Sequence, residues 1–356
     1  MKLSLQTLVL VTICVQFACR EDPSGPQQPG APPTIQNAVY ILNEGNYGDP
    51  TGARLSVYDL DRGTVYTDVY EAANNNAHLG STGDDMKIVN GKGYILMSGS
   101  ENLNVISLTN NVLLQSANYP TDAPHDLLID STRNRAYVTR LYKASILVLN
   151  LSSLAVVDSI SVGNNPQGLA IAGDYLFVCN SGYGSSRTVS VIDVRADTVK
   201  STLTLADGPT GATVASDGRL WVACTGNALG TPATNGKIFI INTLTLAVED
   251  SITFSENLWG NIVMGVDGYA YVLGIDPTSF FGGPLHRISL TAKTVSLSFV
   301  SGVFYGMAVD IVTGDLYLAD AKNLSTNGEV LIYLNNGTFK KRFAAQRGPS
   351  VIVFKR

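Results

Sequence analysis

Phe177-Val-Cys-Asn180 is one of seven copies of a short pattern, in which an aromatic residue is followed by an aliphatic residue and two variable residues. The other copies are Tyr40-Ile-Leu-Asn43, Tyr94-Ile-Leu-Met97, Tyr137-Val-Thr-Arg140, Trp221-Val-Ala-Cys224, Tyr271-Val-Leu-Gly274 and Tyr317-Leu-Ala-Asp320. Each copy precedes a second strand-like run that ends at a turn, such as Val191-Ile-Asp-Val194. Successive aromatics lie 40 to 54 residues apart, which is the period of four-stranded propeller blades. The repeat therefore predicts seven blades.

The rest of the sequence agrees with an all-β fold. From residue 37 onward, short runs rich in Val, Ile, Tyr and Thr alternate with Gly, Asn, Asp and Ser, and no long stretch has the apolar spacing of a helix. The last residues, Gly348-Pro-Ser-Val-Ile-Val-Phe354, resemble the first strand of a blade, whereas blade 1 begins at Ala38 without one. We therefore expect a seven-bladed β-propeller whose C-terminal strand joins the first blade and closes the ring.

Composition restricts the possible functions. The chain has 356 residues, of which 45% are hydrophobic and 15% charged, and its net charge is -5. At an average of about 150 residues per domain, this length suggests two domains. Single all-β domains, however, are often longer than that average. An acidic chain has no general attraction to a phosphate backbone, so we expect no nucleic-acid partner.

The N-terminus has the features of an export signal. Met1-Lys2 and the apolar run from Leu3 to Ala18 predict a signal peptide over residues 1–18. Ala18-Cys19 resembles a bacterial lipobox, which would make Cys19 the lipidated first residue; the alternative is ordinary cleavage near Ala18, with Cys19 an incidental thiol. Residues 19–36 are rich in proline and predict a tether, and residues 37–356 form the propeller. We expect an outer membrane lipoprotein, surface-exposed or, alternatively, facing the periplasm.

One face of the propeller is predicted to carry the function. Length varies most in the connection after each aromatic strand, and that loop lies on the same face as the crossovers between blades, including the long crossover from Tyr70 to Gly83. The alternative is tolerated surface insertion without a ligand. At the mouth of the channel on this face we expect Asp84, His125, Gln167, Thr210, Gly260, Tyr305 and Ser350.

Two further sets of residues point to the same face. Ends of the aromatic strands contribute Asn43, Arg140, Asn180 and Asp320, and the loops contribute Tyr47, Tyr142, Tyr183, Trp259, Phe280 and Phe281. Neutral polar groups interleaved with aromatics suit a large, flat, partly polar organic ligand. The alternative is that Trp259, Phe280 and Phe281 pack under their own loops.

Catalytic and metal-binding motifs are missing from the sequence. It contains three histidines and no HExxH, GxSxG or GxxxxGK[ST] motif, so we predict a non-enzymatic protein without a cofactor or bound metal. His125-Asp126 near Asp122 suits acid/base chemistry, but a histidine beside a strand is more often structural. Asp84-Asp85 suits a cation, but also a solvated pair. Cys179 and Cys224 lie in apolar runs and are expected to be buried free thiols.

Three segments carry a family resemblance: Tyr40-Ile-Leu-Asn-Glu-Gly-Asn46, Leu79-Gly80 before Asp85-Met-Lys-Ile88, and Thr188-Val-Ser-Val-Ile-Asp193. They resemble the YncE-like seven-bladed propeller lipoproteins of Bacteroidetes, including the BtuG-type surface proteins that capture cobalamin. The resemblance implies a lipid-anchored binding propeller that takes up cobalamin or a related nutrient and delivers it to an outer-membrane transporter. A protein-interaction platform and a lactonase-like or metal-dependent hydrolase are the alternatives.

Overall fold

The computed structural model describes residues 27–29, 34–46, 48–120 and 123–356, so the predicted signal peptide, Cys19 and Tyr47 lie outside the described residues. In chain order its strands are β1 (Gln27–Pro29), β2 (Ala38–Asn43), β3 (Arg54–Asp59), β4 (Thr64–Thr67), β5 (Gly83–Val89), β6 (Lys92–Met97), β7 (Asn102–Ser107), β8 (Leu113–Asn118), β9 (Pro124–Asp130), β10 (Arg135–Arg140), β11 (Ser145–Asn150), β12 (Val156–Ser161), β13 (Pro166–Ala172), β14 (Tyr175–Asn180), β15 (Thr188–Asp193), β16 (Thr198–Thr204), β17 (Pro209–Val214), β18 (Leu220–Cys224), β19 (Lys237–Ile241), β20 (Val248–Thr253), β21 (Leu258–Met264), β22 (Tyr269–Gly274), β23 (Gly283–Ser289), β24 (Val295–Phe304), β25 (Gly306–Val309), β26 (Leu316–Asp320), β27 (Asn327–Tyr333), β28 (Phe339–Arg347) and β29 (Pro349–Lys355).

These strands form seven sheets, which are the blades. Blade 1 contains β29, β2, β3 and β4, with β1 added in parallel at its outer edge, and blades 2 to 7 each contain four consecutive strands from β5–β8 to β25–β28. The innermost strand of each blade contacts the innermost strand of the next, from β29 through β5, β9, β13, β17, β21 and β25 back to β29. The predicted all-β, seven-bladed propeller is confirmed.

The C-terminus closes the ring as the sequence predicts. Strand β29 pairs antiparallel with β2, from Ala38 opposite Lys355 to Asn43 opposite Pro349. Because β29 also contacts β5 and β25, it lies between blades 2 and 7 at the centre of the ring. The last strand of the chain thus supplies the first strand of the first blade.

The helical content is small. The long crossover between β4 and β5 contains one short helix, α1 (Val69–Ala73), and Gly182–Gly184 form a single 3₁₀ turn. Among the described residues, no helix is long and apolar enough to cross a membrane.

The repeated aromatics form the core. All seven are buried, with at most 5% of their surface exposed. Trp221 of blade 5, for example, packs with Ile262 and Val272 of blade 6 in one cluster. An aromatic side chain removes a large apolar area from water, so one per blade stabilises each blade-to-blade interface. Cys179 and Cys224 are buried free thiols, as expected.

Close backbone approach joins several blades near the channel. A Cβ at Gly306 would lie 2.0 Å from the carbonyl oxygen of Ser350 in β29, and Gly168 and Gly211 meet the neighbouring blade in the same way. No side chain fits between these strands.

We therefore expect Gly306→Ala to destabilise the propeller by about 1–3 kcal/mol, the range for overpacked sites. The added methyl group would force β25 away from β29, whose position is fixed by its pairing with β2. Urea denaturation followed by tryptophan fluorescence measures the change. An unchanged unfolding midpoint would show that blades 7 and 1 do not approach this closely.

Candidate functional site

The loop that follows the aromatic strand of each blade lies on the same face of the propeller as the crossovers between blades. The register shows this directly, because Gly83 at the start of β5 pairs with Met97 at the end of β6, and Pro124 pairs with Arg140 in the next blade. We call this surface the loop-bearing face. Its loops range from residues 98–101 in blade 2 to residues 225–236 in blade 5, which agrees with the length variation in the sequence.

Four polar side chains meet at the channel on this face, and we call Glu44, Asp84, His125 and Tyr305 the mouth cluster. Tyr305 donates a hydrogen bond from its hydroxyl to Oε2 of Glu44, at 3.1 Å. His125 Nδ1 lies 3.6 Å from Asp84 Oδ1. Three of these residues are predicted site residues, and the structure brings them together although they belong to three different blades.

Burial and mutual charge change the proton affinity of the mouth cluster. Burial raises the pKa of Glu44 to about 8, and the negative charge of Asp84 adds to this effect. Burial disfavours the charged form of His125, but the hydrogen bond and charge of Asp84 outweigh it, so the pKa of His125 is raised. The mouth cluster therefore holds protons at pH values where free carboxyl groups have lost them.

A second cluster of charged side chains lies beside the mouth cluster, with Asp85 and Lys87 on β5 and Asp126 on β9. Lys87 Nζ contacts Asp85 Oδ2 at 2.8 Å and lies 3.7 Å from Asp126 Oδ1. Asp85 Oδ2 accepts a hydrogen bond from the Leu127 amide of the next blade, and Asp126 Oδ2 accepts one from the Leu169 amide of the blade after that. These carboxylates join blades 2, 3 and 4. The sequence left two interpretations of Asp85, a cation ligand or a member of a solvated pair, and the structure agrees with neither. The Asp85 side chain is buried, and its contacts are with Lys87 and the backbone of the next blade.

The two aspartates differ in proton affinity. Burial disfavours the charged form of Asp85, but Lys87 and the hydrogen bonds to this carboxylate outweigh it and lower its pKa. Burial and the charge of Asp85 raise the pKa of Asp126 despite Lys87. Asp85 is therefore the ionised carboxylate of the pair, and Asp126 is the one that retains its proton more readily.

Aromatic side chains lie next to the mouth cluster between blades 6 and 7. The ring of Tyr305 lies 5.6 Å from that of Trp259 and 6.1 Å from that of Phe281, measured between centroids. Trp259 Nε1 donates to the carbonyl oxygen of Tyr305 at 3.2 Å. We call these three residues the aromatic shelf. Trp259 and Phe281 are partly buried in it, which agrees in part with the alternative that they pack under their loops.

Three predicted loop aromatics are exposed instead. Phe280 exposes 68% of its surface and takes a left-handed backbone conformation with φ of +59°. Tyr142 and Tyr183 expose 66% and 59%. A left-handed φ is unfavourable for a bulky residue, and such strain often occurs in ligand-binding loops. The exposed part of each side chain can be reached by a ligand on the loop-bearing face.

Two predicted site residues belong to the scaffold. Asn43 and Asn180 are fully buried, and their amide groups bind Ser56 and Ser190 on the adjacent strand. Their carbonyl oxygens accept from the backbone amides of Gln346 and Gly163. Because each side chain donates and accepts within the protein, these asparagines hold strand ends together and have no surface for a ligand.

The remaining predicted residues are spread around the face. Arg140 Nη1 donates to Ser145 Oγ and Ser159 Oγ, and Asp320 pairs with Lys322. Thr210 Oγ1 donates to the carbonyl of Gly208. Gln167 and Ser350 lie near the starts of their innermost strands, and Gly260 lies within β21. Ser350 interacts with Glu44 and so adjoins the mouth cluster. The structure does not bring the others together with it in one cluster.

Glu44 was missing from the predicted site, although a local signal was available. Glu44 precedes Gly45, which has φ of +78°, and a Cβ at Gly45 would lie 2.2 Å from the carbonyl carbon of Gly52. The Glu44 amide also donates to the carbonyl of Gly348. The glycine thus fixes the loop in a conformation that directs the preceding acidic residue toward the ring closure. Among the described residues, no group of three or more His, Cys, Asp or Glu side chains is arranged to hold a metal ion.

Sequence comparison assigns the propeller to a family. Residues 37–341 match the family described as a domain of unknown function, DUF5074. The chain belongs to the DUF5074 family. None of the curated proteins matches this DUF5074 chain.

Several solved structures share the fold of this DUF5074 propeller. A quinonprotein alcohol dehydrogenase-like protein from Bacteroides thetaiotaomicron is 14% identical with a TM-score of 0.68, covering 90% of this chain and 78% of that one. A protein from Lactobacillus plantarum is 13% identical with a TM-score of 0.68, covering 90% and 100%. Hydrazine synthase of Kuenenia stuttgartiensis is 18% identical with a TM-score of 0.58, covering 73% and 85%. At these identities the similarity concerns the fold alone.

Proposed function

We propose that this DUF5074 propeller is a non-enzymatic, lipid-anchored protein of the outer membrane that binds an organic solute on its loop-bearing face. The observation that carries the proposal is the exposure of Phe280, Tyr142 and Tyr183 on loops of a closed ring. Exposed aromatics on a rigid scaffold offer stacking surface at low entropic cost, since the ring does not have to reorganise.

The polar groups beside these aromatics suggest the kind of solute. The mouth cluster offers carboxyl groups and a tyrosine within one small area, and the aromatic shelf adjoins it through Tyr305. A flat, partly polar molecule would stack on the aromatics and form hydrogen bonds at the mouth. Cobalamin or a related nutrient has this character, and delivery to an outer-membrane transporter would follow binding.

Titration calorimetry of the protein with cyanocobalamin tests this proposal. We expect Phe280→Ala to weaken binding about tenfold, because one stacked aromatic contributes up to about 1.5 kcal/mol. Leu244→Ala is the matched control, since Leu244 is 86% exposed in a turn of the opposite face, and it should bind as the wild type does. Absence of heat with cyanocobalamin and other corrinoids would rule out the cobalamin version.

One observation favours a second candidate, an acid/base-catalysed hydrolase. Asp84 and His125 form a close pair, and the pKa of His125 is raised, at the mouth of the channel. Histidine titrating near neutral pH is the most common general acid or base. Lactone hydrolysis that disappears in both Asp84→Asn and His125→Gln variants would establish this function and overturn the non-enzymatic proposal.

A further inference from the structure

A cavity of about 200 Å³ opens at the seam between blades 1 and 7, on the loop-bearing face. Blade 1 lines it with Asn46, Asp49, Gly52 and Arg54, and blade 7 lines it with Asn327, Gln346 and Arg347. The Gly45 amide donates to the carbonyl of Arg347 and fixes the two walls relative to each other. We call it the seam cavity, and among the described residues no predicted site residue lines it.

Two arginines give the seam cavity unused hydrogen-bond donors. Arg347 uses Nε to donate to the carbonyl of Leu324 at 2.8 Å, and within the described part of the chain its two Nη groups have no partner. Arg54 lies 3.0 Å from Asp68 through Nε and 3.6 Å from Glu71 through Nη1. These contacts hold the Arg54 guanidinium in place and leave its Nη2 without a partner among the described residues.

The other lining groups differ in how much hydrogen-bonding capacity they retain. Asp49 accepts from the amide and hydroxyl of Thr51, both at 2.9 Å, and Gln346 donates to Asp68 and accepts from Ser56. The side-chain amides of Asn46 and Asn327, by contrast, have no hydrogen-bond partner among the residues that the structure describes. The unused donors are therefore two guanidinium edges and two amides. Within the same described part of the chain, Oδ2 of Asp49 is an unused acceptor, because both bonds that Asp49 accepts from Thr51 go to Oδ1.

Arg347 is the group that points to an anion. Asp49, which also lines the seam cavity, and Asp68 and Glu71 all lie near Arg54 and offset its charge. The described residues include no carboxylate in ion-pair contact with Arg347. A planar guanidinium presents two parallel N–H groups, which match the spacing of the oxygens in a carboxylate or phosphate. The seam cavity is the size of a small polar group rather than of a whole cofactor.

We propose that the seam cavity binds an oxyanion, the carboxylate or phosphate group of a small ligand, with Arg347 as the main donor and Asn46 and Asn327 as supporting donors. The free anion would bind there independently of any solute on the aromatic residues. If no solute binds to the aromatic residues, the oxyanion proposal is unaffected. If no oxyanion binds in the seam cavity, the solute proposal is likewise unaffected.

Calorimetric titration of the propeller with sodium succinate and, separately, with inorganic phosphate at low ionic strength tests the proposal. We expect at least one of the two to bind, and the one that binds identifies the oxyanion. Arg347→Gln should weaken that binding at least tenfold, and Asn327→Ala about threefold. Arg342→Gln is the matched control on the same strand, because Arg342 lies near Glu329 and outside the seam cavity, and it should change affinity less than twofold.

Thermal melting of each variant checks that the fold is intact, and Asn327→Ala serves as the informative variant should Arg347→Gln misfold. The proposal is overturned if neither anion binds to the wild type, or if a folded Arg347→Gln binds as tightly as the wild type. An equal loss in Arg342→Gln would also overturn it, since that result would show attraction to general surface charge.

Discussion

Removal of residues 349–356 is expected to abolish the cooperative unfolding of the propeller. These residues include β29, the innermost strand of blade 1. Ile352 packs in the cluster that joins blades 7 and 1, whereas Val351 and Val353 pack against the cluster shared by blades 1 and 2. The truncation therefore weakens two interfaces at once and leaves β2 as an open edge with unpaired backbone groups.

The size of the loss follows from the side chains removed. Full burial of one such side chain contributes roughly 1.5–3 kcal/mol, and the four residues from Val351 to Phe354 are buried at least in part. If each of the four side chains contributes half of the full-burial value, their sum approaches the lower end of the total stability of a folded domain, which is about 5–15 kcal/mol. Phe354 also packs edge-on against Tyr317 at a centroid distance of 5.0 Å.

Differential scanning calorimetry measures the effect. The wild type should show one sharp transition, and the truncated chain a broad one or none. Removal of Arg356 alone is the control, because this residue follows β29 and its side chain contacts Asp310 and the ring of Phe354 without adding to the strand pairing. Adding a synthetic peptide of residues 349–356 should partly restore the transition by strand addition. An unchanged transition in the truncated chain would contradict the closing role of β29.

The repeat predicts the blades because a single physical requirement acts seven times. Each blade must bury a large side chain against its neighbour, and the aromatic of the second strand, such as Tyr137 or Trp221, meets this requirement. The missing first strand before Ala38 and the spare strand after Gly348 predict the closure for a similar reason, since an open ring would expose two edges. These features depend on the spacing of apolar residues, which the sequence displays directly.

The site depends on contacts that only the closed ring creates. Glu44 and Tyr305 are 261 residues apart in the chain, and their hydrogen bond forms because blades 1 and 7 become neighbours. The direction of a side chain at a strand end is equally hidden. Asn43 and Arg140 both end second strands, but Asn43 points inward to Ser56, whereas Arg140 is partly exposed. Position within the repeat therefore predicts the face and leaves open which side chains reach it.

The stability of the propeller is expected to fall as pH rises from about 5 to about 8, because buried groups in and beside the mouth cluster bind protons more tightly in the folded chain. Burial raises the pKa of Glu44 to about 8 from an ordinary value near 4.5. The pKa values of Asp126 and His125 are also raised. Between the unfolded and folded pKa values the folded state holds more protons, so each pH increase favours unfolding.

Asp85 acts in the opposite sense at lower pH. Lys87 lowers its pKa, so its contribution is present above the unfolded value of about 3.8 and is lost only as pH falls below it. This group therefore adds no slope between pH 5 and 8. Burial lowers the pKa of His286 to about 4, so this group opposes the fall in stability up to about pH 6.5. Glu44 acts over the whole interval, with a contribution on the order of 4 kcal/mol if the whole shift is realised.

Chemical denaturation of the wild type and of Glu44→Gln at pH 5.5 and 8.5 tests this argument. Glutamine keeps an oxygen that accepts from the Tyr305 hydroxyl but cannot ionise, so the variant should lose most of the pH dependence and exceed the wild type in stability at pH 8.5. Glu249→Gln, an exposed carboxylate near the outer edge of blade 5, should retain the wild-type slope. Equal pH dependence in the wild type and in Glu44→Gln would show that Glu44 ionises in the folded protein as readily as in the unfolded chain. The mouth cluster would then present a permanent negative charge to a ligand, whereas a shared proton makes it a hydrogen-bond donor at neutral pH.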